Sequence, residues 1–218
     1  MDIARPLIAA VVFFAAGWAA GAFQHYLYRE ESFRRDLARG RKALCMRAAG
    51  GSAAAVAAAL AFRPEHYDFG PALLTALFAL VLIVLSSTDF ERRRIPDRLS
   101  FPAIAAALVL CWAWPDRDVI AILEGLGFAF AVGSAVFGLG VLVGGAVGGL
   151  GLGDVKLMFL IGALLGWPAT MYALFIGMMV GGLPALFLLV TRRSRTFSYG
   201  PYLAIGALIG LLWPDRFM

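Results

Sequence analysis

The sequence is poor in charge: Asp, Glu, Lys and Arg make up 15% of its 218 residues, where soluble domains carry about a quarter. A soluble monomer of that composition could not cover its surface with polar groups. Cysteine is scarce as well. Cys45 and Cys111 are the only two, and neither fits a CxxC or zinc spacing, so neither a disulfide framework nor a structural metal is expected. His25 and His66 are the only histidines and read as interfacial or solvated. With no HExxH, a zinc protease of that type is excluded. Ser52 and Ser134 follow glycines but lack the GxSxG frame, and no histidine is placed to activate them.

Apolar residues are plentiful: 61% of the chain, with a mean hydropathy of +0.83. A membrane helix needs about 20 predominantly apolar residues. Candidate spans lie near Pro6–Tyr28, Arg47–Phe62, Gly70–Thr88, Leu99–Trp114, Ile120–Val147, Val155–Trp167, Ala169–Val190 and Tyr199–Trp213. The second is Ala-rich and short, and the sixth is shorter still. The first is too long for a signal-peptide core and lacks a small-residue cleavage site, so it reads as a membrane helix. The expected fold class is therefore all-α, a polytopic bundle of about eight transmembrane helices.

Charge placement supports that count. If all eight segments cross, fifteen of the 19 basic residues fall on one side and four on the other, while the 14 acidic residues divide evenly. Cytoplasmic loops are enriched in Lys and Arg. Both termini then lie outside the cytoplasm, and the basic loops face anionic headgroups. The sequence pI of 9.6 thus needs no nucleic acid as partner, and no basic face is interleaved with aromatics. Glycines recur four apart at Gly17 and Gly21, Gly140 and Gly144, Gly144 and Gly148, Gly177 and Gly181, and Gly206 and Gly210. That spacing suits close helix packing, within one chain or between chains, so the oligomeric state stays open. Pro184 is expected to kink the seventh span.

Ionisable residues at the edge of apolar spans are functional candidates. Asp89 closes the third span, in Ser86-Ser87-Thr88-Asp89-Phe90-Glu91-Arg92-Arg93-Arg94-Ile95-Pro96-Asp97. Asp154 opens the sixth, in Gly151-Leu152-Gly153-Asp154-Val155-Lys156. Both fall on the cytoplasmic side of the expected topology. Two neighbouring carboxyls cannot both ionise cheaply and so share a proton. One can then take a proton from water while the other polarises a scissile carbonyl. Gly151 and Gly153, without side chains, would let an extended substrate approach. A helix cap or an ion pair to Arg92, Arg93 or Lys156 is an equally good account of either carboxylate alone. Helix dipoles point to Asp154, at a helix start, as the base and to Asp89, at a helix end, as the acid, whereas Arg92–Arg94 would reverse that order by favouring the ionised form of Asp89.

An Asp followed seven residues on by Pro and then Asp (Asp89, Pro96, Asp97), with a later Gly-x-Gly-Asp-x-Lys from Gly151 to Lys156, resembles the type IV prepilin peptidases. These belong to the wider Gly-x-Gly-Asp group of intramembrane aspartyl proteases. The segment Phe197-Ser198-Tyr199-Gly200-Pro201-Tyr202-Leu203-Ala204 also resembles a family segment, Phe-Gly-Pro-Phe-Leu-Ala. The resemblance implies a catalytic pair at Asp89 and Asp154, with Gly151, Gly153, Lys156, Pro96, Asp97, Gly200 and Pro201 supporting it or contacting substrate. It implies no cofactor or metal. The substrate would be a prepilin or pseudopilin, and the site would lie at the cytoplasmic face of a bacterial inner membrane, with lipid around it. Bifunctional members carry Gly-Ser-Phe-Leu-Asn-Val-Val-Ile-Tyr-Arg at the end of the first helix, then an insert with paired CxxC motifs associated with zinc and N-methylation. Here Gly21–Arg29 is an eroded version, and a short basic linker, Glu30 to Leu44, follows. Residues 1–47 are thus expected to be a first helix with its linker, and 48–218 a peptidase domain without methyltransferase activity. The alternatives from other classes are a transporter or channel using the two Asp as cation or proton sites, and an inactive pilin-assembly factor.

Overall fold

Long apolar stretches broken by glycine, proline and charge fold as helices, because only internally satisfied backbone survives in lipid. In the computed structural model, residues 4–27, 41–63, 67–115, 117–142, 151–191 and 198–216 are described. They form eight α-helices: α1 (Ala4–Leu27), α2 (Arg41–Ala61), α3 (Phe69–Arg92), α4 (Asp97–Val109), α5 (Val119–Leu142), α6 (Leu152–Leu165), α7 (Ala169–Thr191) and α8 (Gly200–Leu212). No strand occurs among the described residues. The protein is an all-helical membrane protein, as its composition requires. Each expected span coincides with one helix, although α2 begins six residues earlier than expected and α3 runs three residues past Asp89. Glu30 to Gly40, Gly144, Gly148, His66, the Arg192–Arg195 cluster and Phe197 lie outside the described residues, as does the side chain of His25.

Four helices, α1, α2, α3 and α5, are long and apolar enough to cross a membrane. The helices α4, α6 and α8 have 13, 14 and 13 residues. At 1.5 Å per residue, 14 residues span about 21 Å, less than the ~30 Å hydrocarbon core. What shields α6 is protein. Leu157, Met158, Leu160, Ile161 and Leu164 are all fully or almost fully buried, and α4, α5, α7 and α8 all pack against it. α7 continues through Pro184.

The chain divides into two compact units, Met1–Thr88 and Asp89–Met218. In the first, α1 and α2 pack antiparallel. A Cβ on Gly17 would stand 2.9 Å from both the Gly50 carbonyl oxygen and Gly51 Cα, so only glycine permits the approach. In the second, α5 and α6 cross where Gly125 faces Gly162 and Gly166, and α7 and α8 cross where Gly177 meets Leu203. Exposed apolar side chains such as Leu7, Val11, Leu123 and Phe175 suit contact with lipid.

Candidate functional site

Three helix ends meet in the second unit. α3 terminates one turn beyond Asp89: the Arg93 N–H bonds back to the Asp89 carbonyl at 2.7 Å. Arg93 itself has φ 53°, the left-handed conformation that stops a helix and that glycine usually supplies. The chain then passes through extended Pro96 into α4, whose first residue is Asp97. Ile95 is buried, and a Cβ on Gly153 would meet its Cβ at 3.3 Å. Gly153 therefore lets the α3–α4 connection lie against the start of α6.

Asp154 sits in the first turn of α6 and is 8% exposed. Its Oδ2 accepts the Gly151 N–H at 3.0 Å, so the carboxylate caps its own helix. Its Oδ1 is buried without a hydrogen-bond partner among the described residues. A residue serving only as a cap gains nothing from that orphaned oxygen, which is costly to bury. Nor does Asp154 pair with Lys156, whose ammonium reaches Asp97 at 2.6 Å and lies over the Phe101 ring.

Asp89, 5% exposed, ends a different helix but is also tied to a helix start. Its Oδ2 accepts the Gly200 N–H at 3.0 Å and the Ser198 hydroxyl. Gly200 opens α8 and Pro201 occupies its first turn, so the Gly200 N–H is one of the donors that a helix leaves unsatisfied. A Cβ on Gly200 would stand 2.5 Å from Asp89 Oδ2. The helix-dipole contrast expected between the two carboxylates thus does not hold, because Asp89 faces the amino end of α8 from the carboxyl end of α3. The two carboxyls are close enough to interact electrostatically, and Tyr199 lies within range of the Asp154 charge.

Of the residues singled out in the sequence, Asp89, Asp154, Gly151 and Gly200 converge here. Lys156 and Asp97 form an ion pair joining α6 to α4 beside Pro96, and Gly153 serves packing against Ile95. Ser198 and Tyr199 were not singled out. Both directly precede Gly200 within the family-like segment, but nothing in their spacing says which of them turns toward Asp89.

The family model for the type IV leader peptidase family matches residues 76–186. The chain belongs to the type IV leader peptidase family. Among its relatives, a protein of Escherichia coli named prepilin leader peptidase/N-methyltransferase is 34% identical over 163 residues, covering 73% of this chain and 69% of that protein. Proteins of the same name from Aeromonas salmonicida and Pseudomonas aeruginosa are 32% and 30% identical, covering 66% and 62% of this chain. The chain spans about half the length of these last two. No solved structure matches it.

Proposed function

We propose that this leader peptidase family member is an intramembrane aspartyl endopeptidase that removes the basic leader of a prepilin or pseudopilin at the cytoplasmic face of the inner membrane. The observation that carries the reading is the meeting of two buried carboxyls from α3 and α6. Each has one oxygen held by a glycine N–H, and the two are within electrostatic reach. In the proposed mechanism one carboxyl is ionised and the other protonated. The ionised member takes a proton from water as its oxygen attacks the scissile carbonyl, while the protonated member gives its proton to the carbonyl oxygen. Collapse of the resulting diol breaks the C–N bond as the protonated carboxyl gives its proton to the leaving amine and the ionised one takes the proton of a diol hydroxyl, whose oxygen becomes the new carbonyl. Both free ends then leave with the proton balance restored.

The leader would lie beside Asp89 and Asp154 in the cytoplasm, and the apolar helix after the cleavage site would pack among the Gly-bearing helices. Both termini would face the periplasm, in keeping with the excess of Lys and Arg in the opposite loops. Methylation of the product is not part of the proposed activity, since two cysteines cannot supply paired CxxC motifs.

The test uses the purified full-length chain in lipid nanodiscs and a synthetic peptide with a basic leader, a Gly at the cleavage site and an apolar helix. Asp89→Asn and Asp154→Asn should each lower cleavage by at least about a hundredfold. Cleavage that survives either substitution rejects the assignment, and ion flux without cleavage favours transport.

A further inference from the structure

A serine just ahead of a helix ordinarily caps that helix through its hydroxyl. Ser198 does not. α8 begins with Tyr199 at its N-cap and no side-chain cap bond, and the Ser198 hydroxyl donates instead to Asp89 Oδ2. That bond joins residues 109 apart in sequence, so it is made only when the segment before α8 reaches the end of α3. Asp89 has its backbone fixed by the last turn of α3, but its carboxyl still turns about two side-chain bonds. The Gly200 N–H removes part of that freedom, and a second donor on the same oxygen removes more. With both donors on Oδ2, the Oδ1 edge is left for chemistry. Asp154 has the matching arrangement: its Oδ2 is taken by the Gly151 N–H and its Oδ1 has no partner among the described residues.

We propose that Ser198 is a positioning residue for Asp89. Its hydroxyl and the Gly200 N–H together hold Oδ2, so that Oδ1 faces the water and peptide bond that Asp154 also addresses. This role rests on the peptidase reading above. Ser198 touches neither substrate nor reacting atoms in this scheme. It acts through Asp89 by keeping the carboxyl within the narrow range of orientation that attack requires. Ser198 is only partly buried, so replacing it with alanine should leave the fold intact.

The experiment compares wild type, Ser198→Ala, Ser198→Thr and Asp89→Asn, all full length in nanodiscs, with the same synthetic leader peptide. Ser198→Ala is expected to lower kcat by about ten- to a hundredfold while KM stays within about twofold. Ser198→Thr, which keeps the hydroxyl, should recover most of the loss. An independent readout is the infrared carboxyl band of Asp89, identified by its disappearance in Asp89→Asn. That band should shift in Ser198→Ala and return toward its original position in Ser198→Thr. A fully active Ser198→Ala beside an inactive Asp89→Asn overturns the Ser198 role alone. So does a slow Ser198→Ala whose Asp89 band has not moved. An Asp89→Asn protein that still cleaves overturns the peptidase reading and the Ser198 role together.

Discussion

At Gly200, Gly151 and Gly153 the same residue type meets three different demands. A Cβ at Gly200 would press on the Asp89 carboxylate at 2.5 Å and on its Cβ at 3.0 Å. The carboxylate is the movable end of a side chain, so Gly200→Ala should displace it without unfolding α8. Cleavage is expected to fall by about a hundredfold, with the thermal midpoint shifted by no more than a few degrees. A parallel collapse of both would reject this account. Gly151 has an ordinary extended backbone, φ −78° and ψ 161°, and among the described residues the nearest atom to an added Cβ would be Asp154 Oδ2 at 3.8 Å. The fold therefore leaves room for Gly151→Ala. If glycine is there so that substrate backbone can approach, this variant should keep its stability and show a raised KM in the peptide assay. Gly153→Ala is different, because it crowds Ile95 at 3.3 Å and should lower stability and activity together.

Helix pairs in the second unit are set by small residues at their crossings. Between α5 and α6, a Cβ on Gly162 would stand 2.7 Å from the Gly125 carbonyl oxygen and 3.0 Å from Ala129 Cβ. Those atoms are backbone and a short side chain, so the helices must separate to accept it. Gly162→Ala should destabilise the protein by about 1–3 kcal/mol, as overpacking usually does. Gly127→Ala and Gly138→Ala, on the same α5, meet nothing within 4 Å among the described residues. They should be neutral or slightly stabilising through better helix propensity. Denaturation in mixed micelles separates the three variants, and equal losses in all of them would reject the packing account. Gly166, with φ 67° and ψ −179°, ends α6 in a conformation that side chains rarely adopt. Gly166→Ala should also be destabilising, by about 1–3 kcal/mol, for reasons of backbone strain.

For the molecule as a whole, topology is the property most open to measurement. Asp154 lies at the amino end of α6, whereas at the other end the Arg117 guanidinium bonds to the Leu164 carbonyl oxygen. The segment after Asp89 and the segment around Asp118 thus mark opposite ends of the same buried helix. In a background with Cys45 and Cys111 replaced by serine, Glu91→Cys and Asp118→Cys should react with a membrane-impermeant thiol reagent from opposite sides. Glu91→Cys should be labelled from the cytoplasm. Labelling of both positions from one side would refute the proposed crossing of α6. The chain divides into its compact units after residue 88, whereas the division expected after residue 47 sets a first helix and its basic linker apart from a peptidase domain.

Sequence alone carried the membrane class and the existence and order of the eight helices, and it marked Asp89 and Asp154 as candidates. Each is written in local terms: runs of apolar residues, breaks of Gly and Pro, and carboxylates where lipid should forbid them. It also marked the segment around Gly200 by likeness to a family. Helix ends are less legible, because the last turn of α3 and the first of α2 are polar and resemble loop in composition. What the tertiary structure decided is how the carboxyls are held. Each Asp feels the dipole of its own helix as the sequence implies, but only folding brings α8 to Asp89. The hydroxyl of Ser198, the N–H of Gly200 and the diversion of Lys156 to Asp97 are all contacts between residues far apart in sequence. Local pattern cannot encode such contacts, because they depend on which helix faces which and at what depth, and small residues at the crossings set that.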